Sequence, residues 1–173
     1  MTILVTGGSK CGKSSFAENC LKDFSDKKYY IATMQPYGDE ALKAIERHRL
    51  MRAEKNFLTI EKYTNIHELE FPENSAVLLE CMGNLLANEM FSEGKIINPV
   101  GKILKGLKKI STSVSEFVIV SNEVSSDGIL YPSETMQYME YLSLINRKIS
   151  EYADCVAECV FGIPVARKGD LPF

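Results

Sequence analysis

Gly7-Gly-Ser-Lys-Cys-Gly-Lys-Ser14 satisfies G-x-x-x-x-G-K-[ST] and lies between an apolar, β-branched run, Thr2–Val5, and an amphipathic segment that begins at Lys13. This placement constrains the chain more than any other feature, because a strand, a glycine-rich turn and a helix in that order make a phosphate cradle. At average composition such a match arises by chance in a chain of this length on the order of 1% of the time, before the strand and helix are required. The glycines let successive backbone N–H groups converge on an anion, and the helix N-terminus adds partial positive charge. Gly7, Gly8, Ser9, Lys10, Cys11 and Gly12 are therefore the expected phosphate contacts. Lys13 is the candidate catalytic cation at the β/γ oxygens, and Ser14 is a candidate Mg²⁺ ligand.

The rest of the chain repeats the alternation. Short apolar runs at Thr2–Val5, Tyr29–Ala32, Leu58–Glu61, Val77–Leu79, Phe117–Ser121 and Val156–Phe161 read as strands. Between them, 3.6-residue periodicity predicts helices over about 13–24, 39–52, 82–91, 99–111 and 133–153. The expected architecture is α/β and P-loop NTPase-like, a mostly parallel sheet with helices on both faces. With 173 residues and no linker or repeat, residues 1–173 form one domain.

Composition removes several classes of function. The net charge of −3 provides no bulk attraction to a nucleic-acid polymer. The lysines of the 99–111 segment read as the solvated face of an amphipathic helix. No run of about 18 apolar residues is present and the first residues lack a secretion leader, so no membrane association and a cytoplasmic location are expected. Cys11, Cys20, Cys81, Cys155 and Cys159 are odd in number and contain no Cys-x-x-Cys pair, so free thiols are expected.

Glu80 closes the Val77–Leu79 strand and is the candidate second metal-side group, joining Ser14 at Mg²⁺. His48 stands among Arg47, Arg49 and Arg52, three of the five arginines in the chain. The residues alone leave two readings of it open, a histidine packed on a helix or a nucleophile in an anion-binding neighbourhood. No guanine-reading Asn/Thr-Lys-x-Asp sequence occurs, which disfavours a regulatory GTPase.

Ordered blocks then give the chain a resemblance along nearly its whole length. They are Ile3–Ser14 with Ala17-Glu18, Tyr30–Thr33, Arg47-His48-Arg49 with Arg52, Thr59–Glu61, Leu78–Met82 with Asn88, and Val120–Val124. Gly128-Ile129 with Pro132, Asn146, Ala153-Asp154 and Gly162–Pro164 complete them. In these the sequence resembles the bifunctional adenosylcobinamide kinase/adenosylcobinamide-phosphate guanylyltransferases of cobalamin biosynthesis. The resemblance implies that a nucleoside triphosphate, ATP or GTP, phosphorylates the corrinoid, and that GMP from GTP is then passed to that phosphate on a histidine matching His48. It also implies nucleotide contacts at Thr33, Met34, Gln35, Arg49, Leu50, Met51, Arg52, Glu61 and Glu80, and a homotrimer. Departures fall at Ser125-Ser-Asp127, in the last helix, and at Ala53 and Phe57. The alternatives are a P-loop kinase of another small molecule and a non-catalytic nucleotide-binding module.

Overall fold

The computed structural model describes residues 1–39, 42–43, 45–46, 55–92, 94–124 and 128–172. In chain order its elements are β1 (Thr2–Thr6), α1 (Lys13–Cys20), β2 (Lys27–Ala32), β3 (Phe57–Glu61), a 3₁₀ turn (Ile66–Glu68), β4 (Ser75–Leu79) and α2 (Met82–Met90). They continue through α3 (Val100–Ser113), β5 (Glu116–Val120), α4 (Ser133–Tyr152), β6 (Cys155–Val160) and β7 (Ile163–Lys168). The strands form a seven-stranded sheet in the order β3-β2-β4-β5-β1-β6-β7. All pairings are parallel except β6 with β7.

The two-residue period of the strands sorts the core into two layers. Leu4, Ile31, Val77, Leu79, Phe117 and Ile119 face a layer shared with α2, α3 and α4. Their neighbours Ile3, Val5, Tyr30, Leu78, Val118 and Val120 face the opposite layer with Phe16, Ala17 and Leu21. The central strands β4 and β5 are buried on both sides and read as continuous apolar runs, whereas the edges β3 and β7 are largely exposed. Because α1 covers one face and α4 the other, the connections after β1 and β5 leave in opposite directions. They open a crevice at the carboxyl ends of those two strands, where open α/β sheets take ligands.

Within the described residues the strand and helix expectations hold with two adjustments. α1 ends at Cys20, not near Phe24, because the chain tightens into i→i+3 bonds, Leu21 N–H to Glu18 O at 3.3 Å and Lys22 N–H to Asn19 O at 3.0 Å. Phe24 still packs on the core from that turn. Ser133 opens α4 as its first residue, with Pro132 before it and no side-chain cap. β7 was not legible, since Pro164 interrupts its pattern, and an edge strand tolerates proline where a central one does not. Of the expected 39–52 helix, residues 38–39, 42–43 and 45–46 are helical; its remaining part, including His48, Arg49, Leu50, Met51 and Arg52, lies outside the described residues.

The lysines of α3 are exposed, as expected of a solvated face, and three of them also reach other parts of the protein. Lys102 pairs with the buried Glu89 at 2.6 Å, Lys108 lies 4.5 Å over the Tyr152 ring, and Lys109 donates to the His67 carbonyl at 3.0 Å. His67 is half-buried in the 3₁₀ turn, with its backbone against Gly106. The five cysteines are free thiols.

Candidate nucleotide site

The turn between β1 and α1 reverses three times into the left-handed region, at Gly7 (φ 137°), Lys10 (φ 56°) and Gly12 (φ 97°). Reversals of this kind aim successive N–H groups at one centre. α1 then starts with no side-chain cap and no acid in its first turn, which leaves its first amides to an external anion. Both neighbouring strands brace the turn. From the β5 side, Glu123 N–H donates to Gly7 O at 3.1 Å; from the β6 side, Gly162 N–H donates to Cys11 O at 3.0 Å. The glycines are required by contact as well as by φ. A Cβ on Gly7 would stand 2.6 Å from the Cys159 carbonyl oxygen, and one on Gly12 would stand 3.1 Å from Gly162 Cα.

Lys13 is buried at the first position of α1, and its ammonium folds back over the turn to the Gly8 carbonyl and to Cys11 Sγ. Ser14 follows, half-buried, on the same first turn. The loop thus gathers every cradle residue that the motif names.

A second group of expected residues meets at the ends of β2, β3 and β4. Glu80 is buried, and its carboxylate accepts hydrogen bonds from Tyr30 OH at 3.0 Å, Thr33 N–H at 2.9 Å and Met34 N–H at 3.2 Å. A charged acceptor therefore anchors the chain where it leaves β2. Thr33 is fully buried and donates its hydroxyl to Cys81 O at 2.9 Å. Beside this anchor, a cleft of about 520 Å³ is lined by Met34, Thr59, Glu61, Tyr63 and Glu80 among others. Glu61 is exposed there and accepts from Tyr63 OH at 3.0 Å. Desolvation, then the neighbouring Glu61 carboxylate, raises the Tyr63 pKa, so this phenol stays a neutral donor. Gln35 is half-buried next to Met34 and accepts from Tyr37 N–H at 2.8 Å through its carbonyl.

Between the two groups lies a network whose members the motifs flag without assigning roles. Asn88 on α2 donates to Thr33 O at 2.8 Å and to Tyr63 O at 3.1 Å, tying the β2 and β3 exits together. Asn146 on α4 donates to Asn122 O at 3.1 Å and accepts from Ser121 Oγ at 2.6 Å, fixing the β5 exit. Asn122 Nδ2 reaches Cys81 Sγ at 3.7 Å, and a Cβ on Gly83 would lie 2.7 Å from Tyr138 OH. Burial is the main cause that pushes the Cys81 thiol up; Glu80 adds to the shift and Lys13 opposes it, so Cys81 is a neutral thiol and not a nucleophile. Tyr63 and Tyr138 escaped the sequence reading and Tyr30 entered it only within a matched block, because the sequence does not give the direction of a tyrosine hydroxyl.

A parallel sheet with a braced glycine-rich turn, an uncapped helix start and a buried lysine defines a P-loop nucleotide-binding protein of the α/β class. Residues 3–166 match the family model described as cobinamide kinase / cobinamide phosphate guanyltransferase, and the chain belongs to that family of kinase and guanylyltransferase enzymes. It is 30% identical over 183 aligned positions to the bifunctional adenosylcobalamin biosynthesis protein CobU of Escherichia coli K12, covering 97% of this chain and all of that one. Identity to the protein of the same name from Salmonella typhimurium LT2 is 27%, over 97% of this chain and all of the relative. The bifunctional adenosylcobalamin biosynthesis protein CobP of Pseudomonas aeruginosa is 24% identical, over 98% of this chain and 99% of its own length.

Proposed function

We propose that the chain phosphorylates adenosylcobinamide with a nucleoside triphosphate and then transfers GMP from GTP to the resulting phosphate through His48. The observation that carries this is a fully formed P-loop within a family match that spans residues 3–166. In the first reaction the amides of Gly8–Ser14 and the Lys13 ammonium hold the phosphates; the corrinoid hydroxyl oxygen bonds to the γ-phosphorus as the bond from that phosphorus to the β-bridging oxygen breaks, the nucleoside diphosphate leaves and the hydroxyl proton passes to water. The loop's work there is positioning and charge neutralisation.

Ser14 and Glu80 are the residues for Mg²⁺. Both offer hard oxygen donors, and Mg²⁺ commonly takes only one or two protein oxygens beside phosphate and water. That suits a site where, among the described residues, no group of three or more His, Cys, Asp or Glu could hold a metal. The ion would neutralise charge on the β and γ oxygens when bound.

In the second reaction a neutral His48 nitrogen forms a bond to the α-phosphorus of GTP and pyrophosphate leaves. A phosphate oxygen of the acceptor then attacks the same phosphorus, the P–N bond breaks and the histidine is regenerated. Arg49 and Arg52 neutralise the phosphates, and Leu50 and Met51 belong to the same stretch of nucleotide contacts. Met34, Gln35, Glu61 and Glu80, around the 520 Å³ cleft and the β2 exit that Thr33 anchors, supply the remaining nucleotide contacts. We take the protein to be a cytoplasmic homotrimer.

Incubation with Mg²⁺ and GTP labelled at the α-phosphate tests the histidine step. An adduct that acid removes and alkali spares, absent in His48→Ala, is expected. No adduct, or one undiminished in that variant, rules out the guanylyl-histidine.

A further inference from the structure

The turn that joins β6 to β7 contains a residue the fold does not explain. Val160 pairs with Ile163, so Phe161 and Gly162 are the two central residues of a tight hairpin, with φ of 50° and 83°. Turns with positive φ at both central positions favour Asn-Gly, Asp-Gly or Gly-Gly. A bulky aromatic residue is a poor choice there. Nor is Phe161 recruited by the core, since it is 95% exposed.

The turn is also part of the cradle wall. Gly162 N–H donates to Cys11 O at 3.0 Å, and Gly12 approaches Gly162 so closely that a Cβ would sit 3.1 Å from its Cα. Phe161, one residue before Gly162, is therefore carried next to the phosphate loop on a braced support with its side chain open to solvent. The two flanks of the loop differ in chemistry. The β4 and β5 flank carries the carboxylate of Glu80 and the polar network of Cys81, Asn122 and Asn146, and it suits the reacting phosphate, metal and acceptor. The β6 flank presents an exposed aromatic face. A nucleoside triphosphate lying across the loop with its γ end toward Glu80 has its nucleoside end on the β6 side.

We propose that Phe161 is the stacking platform for the base of the nucleoside triphosphate whose phosphates occupy residues 7–14. The proposal rests on the reading of that loop as the kinase's nucleotide cradle. Stacking on an aromatic ring is tolerant of base identity, because every base has a π face. The platform therefore accepts adenine and guanine alike.

The test is calorimetric titration of the full chain, with Mg²⁺, against non-hydrolysable ATP and GTP analogues and inorganic tripolyphosphate, which has the phosphates without a base. Phe161→Ala and Phe161→Asn are expected to weaken both analogues about tenfold while tripolyphosphate stays within about twofold. Phe161→Tyr keeps wild-type affinity. Phe161→Asn should also raise the thermal midpoint, since asparagine suits the turn, which separates lost affinity from lost folding. Unchanged analogue affinity in Phe161→Ala, or an equal loss for tripolyphosphate, overturns the platform. Lys13→Ala is expected to weaken all three ligands; if it weakens none, the cradle reading itself fails.

Discussion

Replacing Glu80 separates its role as an anchor of the loop after β2 from any role of its charge. The carboxylate accepts from Tyr30 OH, Thr33 N–H and Met34 N–H, with Tyr30 2% and Thr33 0% exposed, so alanine strands donors that water reaches poorly. A buried donor left unsatisfied costs about 1–3 kcal/mol. Removing a buried charge returns part of its desolvation penalty, so the lower end of that range applies to each donor and Glu80→Ala should lose about 3 kcal/mol. In a domain of this size that corresponds to a fall of about 6–12 °C in thermal midpoint. Glu80→Gln keeps one carbonyl oxygen for the Thr33 and Met34 amides, and the Tyr30 hydroxyl can turn to accept from the new NH₂. That variant should lose about 1 kcal/mol, the net worth of one hydrogen bond. Urea and thermal unfolding followed by circular dichroism measure both. Glu80→Ala unfolding at the wild-type midpoint, or Gln proving as damaging as Ala, would refute the anchoring argument.

Two further outcomes follow from the same geometry. Gly12→Ala puts a Cβ into the left-handed region and 3.1 Å from Gly162 Cα, so it should spread the cradle from the β6–β7 turn and weaken nucleotide binding at least tenfold, read by titration calorimetry. Burial pushes the Cys20 thiol from 9.0 up to about 12, with Cys155 adding to the shift. The raised pKa means the fold holds this proton more tightly than the unfolded chain, so its contribution to stability is intact below pH 9 and declines from there toward pH 12. Alkylation of Cys20 by iodoacetamide should be slow in the native protein at pH 8 and fast after unfolding; rapid native labelling contradicts the burial.

The cradle was legible because its spacing is nearly sufficient for its geometry: glycines at two of its three positive-φ positions, a lysine at the first helical position, and a strand before it. The central strands were legible as unbroken apolar runs, since both of their faces are covered. What escaped depends on contacts between distant segments. Asn88 and Asn146 stood out as motif residues, but only the folded chain shows that they hold the exits of β2, β3 and β5. Glu80 was read as a group on the metal side, and its hydrogen bonds to Thr33 and Met34 add a scaffolding task that its position at a strand end does not reveal. β7 went unseen because Pro164 weakens the strand pattern and Phe161, read as the end of the preceding strand, stands in the turn where asparagine or glycine would have signalled a hairpin.

The most direct test of the central claim is to follow adenosylcobinamide by mass spectrometry during incubation with the protein, ATP, GTP and Mg²⁺. Sequential appearance of the phosphate and then the GDP derivative is the expected result, with Lys13→Ala stalled before the phosphate and His48→Ala stalled after it. An unmodified corrinoid, in the presence of protein that demonstrably binds the nucleotides, would contradict the account.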